Sequence, residues 1–445
     1  MIEIADLALR EALRLGASEA EVYLCRVRSL EIEFIEDVES IKCPETTGLS
    51  LRVAMGKRIA TYATSLLERR EALKTAEKAV KMARVAPEDA DWRHLNRRYG
   101  YSPAEGFYDK ETVELQPEEV VDALRPALEL MGDLDERVRP ARGMLTIAES
   151  EIHVLNSYGD ASHRRGTQIA IWLRAKAEEM GREATTSEHR ELRSWSSLDL
   201  ERLAERVARR AVDFLDARPI ASGEMPIILR NQVFASILLQ MLGGPISADW
   251  VQKGRSPLAG KLGEKVASEE ITIIDDGVLP RGWATAPSDD EGHPTQRTPI
   301  IDQGILKGFL YDSYTALKEG VESTGNALRR MYWMKPEPSP TNLILKPGDA
   351  TLEELIKETR RGLYVEETIG EWLSNPVSGQ LNATVTHGYL IEQGEITKPV
   401  KGVIVAGDFH QLLIEGIDLI GRDTLNSGGA YSPSVRAIAL TVAGE

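Results

Sequence analysis

Cysteine is nearly absent from this chain: Cys25 and Cys43 are the only two in 445 residues. Two thiols, both early, make neither a disulfide framework nor a Cys-x-x-Cys metal knuckle, and a reducing cytosol is the expected compartment. Long apolar runs are missing too. No stretch approaches the ~20 residues that span a bilayer, so no membrane insertion is expected. The opening MIEIADLALREALRLG reads as an acidic amphipathic helix ending at Gly16, without the basic and apolar regions of a secretion signal. Basic charge is outweighed, with 54 Lys and Arg against 70 Asp and Glu and a net charge of −16. No Lys/Arg-rich stripe carries interleaved aromatics, which argues against contact with nucleic acid. Neither Gly-x-Gly-x-x-Gly after a strand nor a Walker sequence occurs, so ATP or NAD dependence has no support.

What is present reads as a mixed α+β chain, an N-terminal α/β region of two strand-strand-helix units followed by a β-rich C-terminal domain. Leu30, Ile32 and Phe34 alternate with Glu31 and Glu33 as in a half-buried strand, and Leu49, Leu51 and Val53 repeat the pattern before a turn at Gly56. Ser65, three residues before Glu68, has the spacing of a capping box for a helix carrying Ala72, Ala76, Ala79, Val80 and Ala83. Residues 87–115 lack periodicity and read as a long connection. Beyond it, strands joined through Asn156, Gly159 and Gly166 precede a helix capped by Asp199, which hints at a duplication. Near residue 220 glycine and proline become frequent, and the boundary between domains 1–220 and 221–445 is placed there. Two further helices are expected in TLEELIKETRRG and HQLLIEGIDLIG.

Several blocks of the C-terminal half, in order, carry a resemblance: GRSPLAGKLGEKVAS, DDEGHPTQRTPIIDQGILKGFLYD, STGNALRR, PSPTNLILKPG, GLYVEE and HGYLIEQGEITKPVKG. With the N-terminal EDVESI, they resemble the TldD/PmbA (TldE) family, linked to zinc-dependent peptide processing. In the TldD-like branch a His-Glu-x-x-x-His helix binds zinc through two imidazoles, and its carboxylate acts as a base. Placed without gaps through Asp249, those positions are Leu239, Gln240 and Gly244 here, and a further acidic position falls on Ser247. Leucine and glycine offer zinc no side-chain donor, and a neutral amide takes no proton from water near pH 7. The resemblance is therefore to the PmbA/TldE branch, understood as the metal-free partner of a zinc-bearing TldD-like subunit.

Other residues could carry chemistry. Asp289, Asp290, Glu291 and His293 fall in one loop and have the donor types for a divalent ion, although consecutive loop residues rarely converge on one. A structural role or shaping of a peptide cavity is the better expectation. Asn326, Arg329 and Arg330 could contact substrate, arginine gripping a peptide carboxylate through paired hydrogen bonds. Ser256 lacks the Gly-x-Ser-x-Gly elbow. The seven histidines, His94, His153, His163, His189, His293, His387 and His410, show no pair at metal-ligand spacing.

The first expectation is a non-catalytic subunit, without catalytic residues or a cofactor of its own. It would pair with a zinc-bearing paralogue around a cavity in which unfolded peptides are trimmed. On this reading the purified chain binds no stoichiometric zinc. A second is an independent peptidase using the Asp289–His293 loop. A third is a metal-free homodimer that binds peptides or regulates. Family members have also been called modulators of DNA gyrase, but the acidic balance gives no reason to expect contact with DNA.

Overall fold

The computed structural model describes residues 1–445. Two units of like order make the N-terminal half, and each has a helix on either side of its strands. The first comprises α1 (Ile2–Arg14), β1 (Glu19–Phe34), β2 (Val38–Lys42), β3 (Glu45–Met55), β4 (Arg58–Thr64) and α2 (Arg69–Val85). After the short α3 (Lys110–Glu114), the second comprises α4 (Pro117–Leu134), β5 (Val138–Asn156), β6 (Ala161–Glu179), β7 (Arg182–Leu192) and α5 (Leu200–Asp213). The expected strand-strand-helix order is present, with two further strands in the first unit and one in the second. All seven strands join one antiparallel sheet in the order β4-β3-β1-β5-β6-β7, with β2 on β1. β1 and β5 join the two units by pairing from Glu21 opposite Asn156 to Phe34 opposite Gly143.

The period of two sorts each strand's residues between two environments. Val22, Leu24, Leu49, Leu51 and Val53 pack with the alanine faces of α1 and α2. Leu145, Ile147, Ile169, Ile171 and Leu173 pack beneath α4 and α5. The opposite face turns Glu21, Tyr23 and Arg52 toward the C-terminal half, where Glu21 and Arg52 meet Arg329 and Glu291. Two local expectations fail. Glu68, not Ser65, occupies the N-cap of α2, without a side-chain cap, and Gly166 lies inside β6 rather than in the turn. Asp199 does cap α5, accepting the Arg202 N–H at 3.0 Å.

The connection has no regular structure between α2 and α3, yet it is fastened along its length. Asn96 Nδ2 donates to the Glu291 carbonyl at 2.8 Å, Ser102 N–H to Pro287 O at 2.8 Å and Arg281 N–H to Glu105 O at 3.1 Å. It is a strap across the second half.

The C-terminal half contains a ring of five strands closed on itself. β8 (Gly223–Leu229) lies between Arg361–Ile369 and Val435–Ala443, and Val403–Asp408 and Gln380–Glu392 complete the circuit. A second, six-stranded sheet includes Ile273–Asp276, Arg297–Asp302 and Leu343–Leu345. Between the two lies α6 (Asn231–Leu242), whose Val233, Phe234, Ile237, Leu238 and Met241 merge with residues of both in the largest core. The near-continuous apolar run of α6 follows from this burial on most sides. TLEELIKETRRG gives a helix over Leu352–Lys357, whereas HQLLIEGIDLIG gives a short helical stretch and then a strand at Ile417–Ile420. No helix is long and apolar enough to cross a membrane.

Candidate functional site

Leu239 and Gln240 belong to the last turn of α6, which ends at Gly243, and Gly244 to Ser247 form the turn into α7 (Ala248–Gln252). That path places all four positions that the resemblance sets against the zinc motif, Leu239, Gln240, Gly244 and Ser247, on the wall of one cavity of about 750 Å³. Asp289, Asp290, Asn326 and Arg330 line the same cavity, as do Trp250, Trp283 and Trp372. Its size suits a small ligand or a short extended peptide.

The space beside Gly244 is filled. A Cβ built on it would lie 2.7 Å from Trp250 Cζ2 and 2.8 Å from Cε2. The Trp250 indole stands where a second imidazole would have to begin. Sequence reasoning missed this, because a tryptophan six residues on from a glycine carries no signal until the turn folds it back.

The Asp289–His293 loop does not present its carboxylates as ligands. Asp289 Oδ1 accepts the Glu291 and His293 N–H groups, each at 2.9 Å, and Oδ2 accepts Ala327 N–H at 3.1 Å. Asp290 takes the Arg329 N–H at 2.6 Å and pairs with the Arg164 guanidinium. Glu291 Oε1 pairs with Arg52 Nη2 at 2.7 Å, and Oε2 takes Ser313 N–H at 2.9 Å. Burial opposes the Glu291 charge, but Arg52 overcomes it and holds the carboxyl below its usual range. With these oxygens occupied by arginine and backbone N–H, the loop works as a fastener between halves. Three candidates fall outside the cavity wall. Glu291 and His293 are buried, with His293 Nδ1 3.0 Å from the Pro294 carbonyl. Arg329 is buried against Glu21 at 2.6 Å rather than facing a substrate. Asn326 lines the cavity but spends its amide on Asp275 at 2.7 Å. Arg330 alone of the pair stays on the wall, and it is exposed.

A larger cavity, about 960 Å³, lies beside α5 and carries seven arginines, among them Arg190, Arg210 and Arg230. These three converge on Glu188, which is fully buried, at 2.8, 2.7 and 2.8 Å. Burial raises the Glu188 carboxyl, but the arginines, Arg230 foremost, drive it far below its ordinary value. Glu188 is thereby an internal counter-ion, and the three arginines have a structural reason to gather.

The histidines hold one surprise. His153 and His163, ten residues apart, are directly opposite across the β5–β6 hairpin, and Glu151 Oε1 lies 3.1 and 3.3 Å from their Nε2 atoms. The expectation of no histidine pair fails because the spacing that matters is set by strand register. The available signal was the turn at Asn156–Gly159 with equal counts to either side.

The rim of the first cavity is apolar. Leu328 and Trp372 line it, and Leu328, Met331, Trp333, Trp372 and Leu373 are all exposed, Leu373 by 73%.

Comparison with known proteins gives three consecutive matches to models of the PmbA/TldA metallopeptidases: domain 1 over residues 20–83, the central domain over 110–215 and the C-terminal domain over 222–444. A metalloprotease of Methanothermobacter thermautotrophicus is 32% identical over a stretch spanning 62% of this chain and 61% of that protein. The metalloprotease PmbA of Escherichia coli O157:H7 is 25% identical across 98% of this chain and 96% of its own length. Among solved structures, TldE of Thermococcus kodakarensis superposes with a TM-score of 0.91 at 26% identity, over 99% of this chain and 100% of that one. A proposed modulator of a DNA gyrase from Thermotoga maritima gives 0.88 at 28% identity, with the same coverage.

Proposed function

The chain belongs to the PmbA/TldD family of metallopeptidase homologues, and on that premise we propose that it is the non-catalytic member of a two-subunit peptide-processing assembly. The observation that carries this reading is the state of the motif wall. Leu239, Gly244 and Ser247 supply no imidazole or carboxylate, Gln240 supplies no base, and Trp250 occupies the volume at Gly244. A zinc ion held there would lack the two imidazoles and the general base that peptide hydrolysis by this kind of site requires. Zinc and the hydrolytic water then come from a TldD-like paralogue, and this chain contributes part of the enclosure for an unfolded peptide.

Two features fit that role. The exposed Leu328, Met331, Trp333, Trp372 and Leu373 give the cavity mouth the apolar character of a surface covered in an assembly. Trp250, Trp283 and Trp372 on the cavity wall give a peptide's side chains apolar surface to pack against, a contact tolerant of sequence. An independent peptidase built on Asp289–His293 finds no such support, since those carboxylates already have partners.

The test is co-expression with a TldD-like paralogue, followed by affinity co-purification and a peptidase assay on an unfolded polypeptide. Cleavage by the pair and none by this chain alone is the expected result. Turnover by the isolated chain refutes the non-catalytic reading, and a homodimer that ignores the paralogue refutes the pairing.

A further inference from the structure

We propose that Glu151, His153 and His163 form a binding site for one divalent transition-metal ion of the zinc class, on the face of the N-terminal sheet turned away from the cavity. His153 and His163 are cross-strand partners on β5 and β6. Their rings stack at a centroid distance of 4.2 Å and 14° between planes. Glu151, two residues before His153 on the same strand, projects from the same face. That face also carries Leu145, Ile147, Ile169 and Ile171, which α4 and α5 cover, whereas Arg164, the next residue along from His163, faces the cavity. The Glu151 and His163 side chains are 27% and 47% exposed, whereas His153, at 11%, is largely enclosed.

The spacing is that of ligands around one ion. Donors ~2.05 Å from a tetrahedral zinc are separated from each other by about 3.3 Å. Glu151 Oε1 lies 3.1 Å from His153 Nε2 and 3.3 Å from His163 Nε2, and all three donor atoms fall within 4.8 Å of one another. Coordination by both imidazoles requires the stacked rings to tilt so that both Nε2 lone pairs converge on one ion, a turn that falls to the more exposed His163. Two imidazoles and one carboxylate disfavour Mg²⁺ and Ca²⁺, which take oxygen, and suit zinc or its neighbours in the first row. The exposed side leaves a fourth position for water. The nearby arginines are already matched, since Arg165 pairs with Glu149 and Arg28 with Glu45, and the Met1 ammonium remains as a positive charge that acts on His153.

Affinity has a ceiling. Metal-bound histidines are tightened by a partner on the second ring nitrogen, and His153 Nδ1 is buried without one. The expected dissociation constant is therefore micromolar, weaker than a closed structural zinc site. The site is independent of the subunit reading above, which concerns residues 239–247 alone.

The experiment uses the full chain, stripped with a chelator and titrated at pH 7.5 with Zn²⁺ by calorimetry and with Co²⁺ by visible absorption. One ion per chain is expected, with the cobalt bands of a four-coordinate nitrogen/oxygen site. His163→Ala and Glu151→Gln should each weaken binding by about tenfold or more, and His94→Ala should leave it unchanged. His163 is exposed, so loss of binding with an unaltered circular dichroism spectrum and melting temperature separates ligand removal from misfolding. No binding by the wild-type chain at 100-fold excess of a micromolar metal range, or equal binding by His163→Ala, overturns the proposal.

Discussion

Rebuilding the missing zinc motif probes whether Trp250 blocks the site as firmly as the geometry implies. The variant Leu239→His, Gln240→Glu, Gly244→His, Ser247→Glu supplies the residue types that the TldD-like pattern places at these positions. In a His163→Ala background, zinc bound at the sheet does not confuse the count. The imidazole at 244 must start from a Cβ only 2.7 Å from the Trp250 ring, where ordinary contact requires at least about 3.4 Å. Either the indole moves or the turn does. Overpacking of this kind costs about 1–3 kcal/mol, and that cost is subtracted from zinc binding, because only the displaced indole leaves room for the ligand.

At 1.4 kcal/mol per factor of ten, the penalty lowers zinc affinity by about 5- to 150-fold. Adding Trp250→Ala should restore that factor, and the comparison between the two variants isolates the steric term from the ligands themselves. Competition with a chromophoric chelator at pH 7.5 reads the affinity, and thermal melts of the metal-free forms read the strain. Equal zinc affinity with and without Trp250 would falsify the steric account.

Four other outcomes are expected. Arg52→Met leaves Glu21 and Glu291 buried without the guanidinium that holds them at 2.9 and 2.7 Å, and should cost about 3–5 kcal/mol in denaturant unfolding. Glu188→Gln strips the counter-ion from Arg190, Arg210 and Arg230 and should destabilise by a similar ~3–5 kcal/mol; its effect should fade as the wild type is acidified, because a depressed carboxyl contributes stability above its unfolded pKa and loses it as pH falls. Asp312 has the opposite sign: burial, then the charge of Glu291, pushes it up to about 7, so its contribution is full below pH ~4 and is lost as pH rises to ~7, a span of about 2–4 kcal/mol that Asp312→Asn should remove from a pH series of unfolding curves. Trp372→Glu with Leu373→Glu, both exposed at the cavity rim, should weaken capture of a TldD-like paralogue by at least about tenfold while leaving the melting temperature within a few degrees.

The sequence carried the elements whose cause is local. The alanine-rich faces of α1 and α2, the alternation in β1 and β3, and the Asp199 cap each depend on residues a few positions apart, and each formed where the pattern put it. Long-range pairing was illegible. Nothing in residues 19–34 announces that β1 will take β3 on one side and β5 on the other, so two repeats became one sheet only in three dimensions. The same limit hid the strap at residues 96–105, whose fastening points are carbonyls and N–H groups 176 to 195 residues away.

The candidate site divides along that line too. Donor types at Leu239, Gln240, Gly244 and Ser247 could be judged one residue at a time, and the cavity gathers all four. Asp289, Asp290 and Glu291 could not be judged so, because a carboxylate's availability depends on what else claims its oxygens, and here the claimants are arginines of β3 and β6 and backbone N–H groups. Their type suggests metal, and their surroundings make them fasteners. His153 and His163 show the reverse, unremarkable in spacing yet placed face to face by register. Metal capacity in this fold thus follows which donors remain unclaimed after folding. By that criterion the strip of sheet at Glu151 is a better ligand set than the wall at residues 239–247, where Trp250 crowds Gly244 and no imidazole or carboxylate stands at Leu239, Gln240, Gly244 or Ser247.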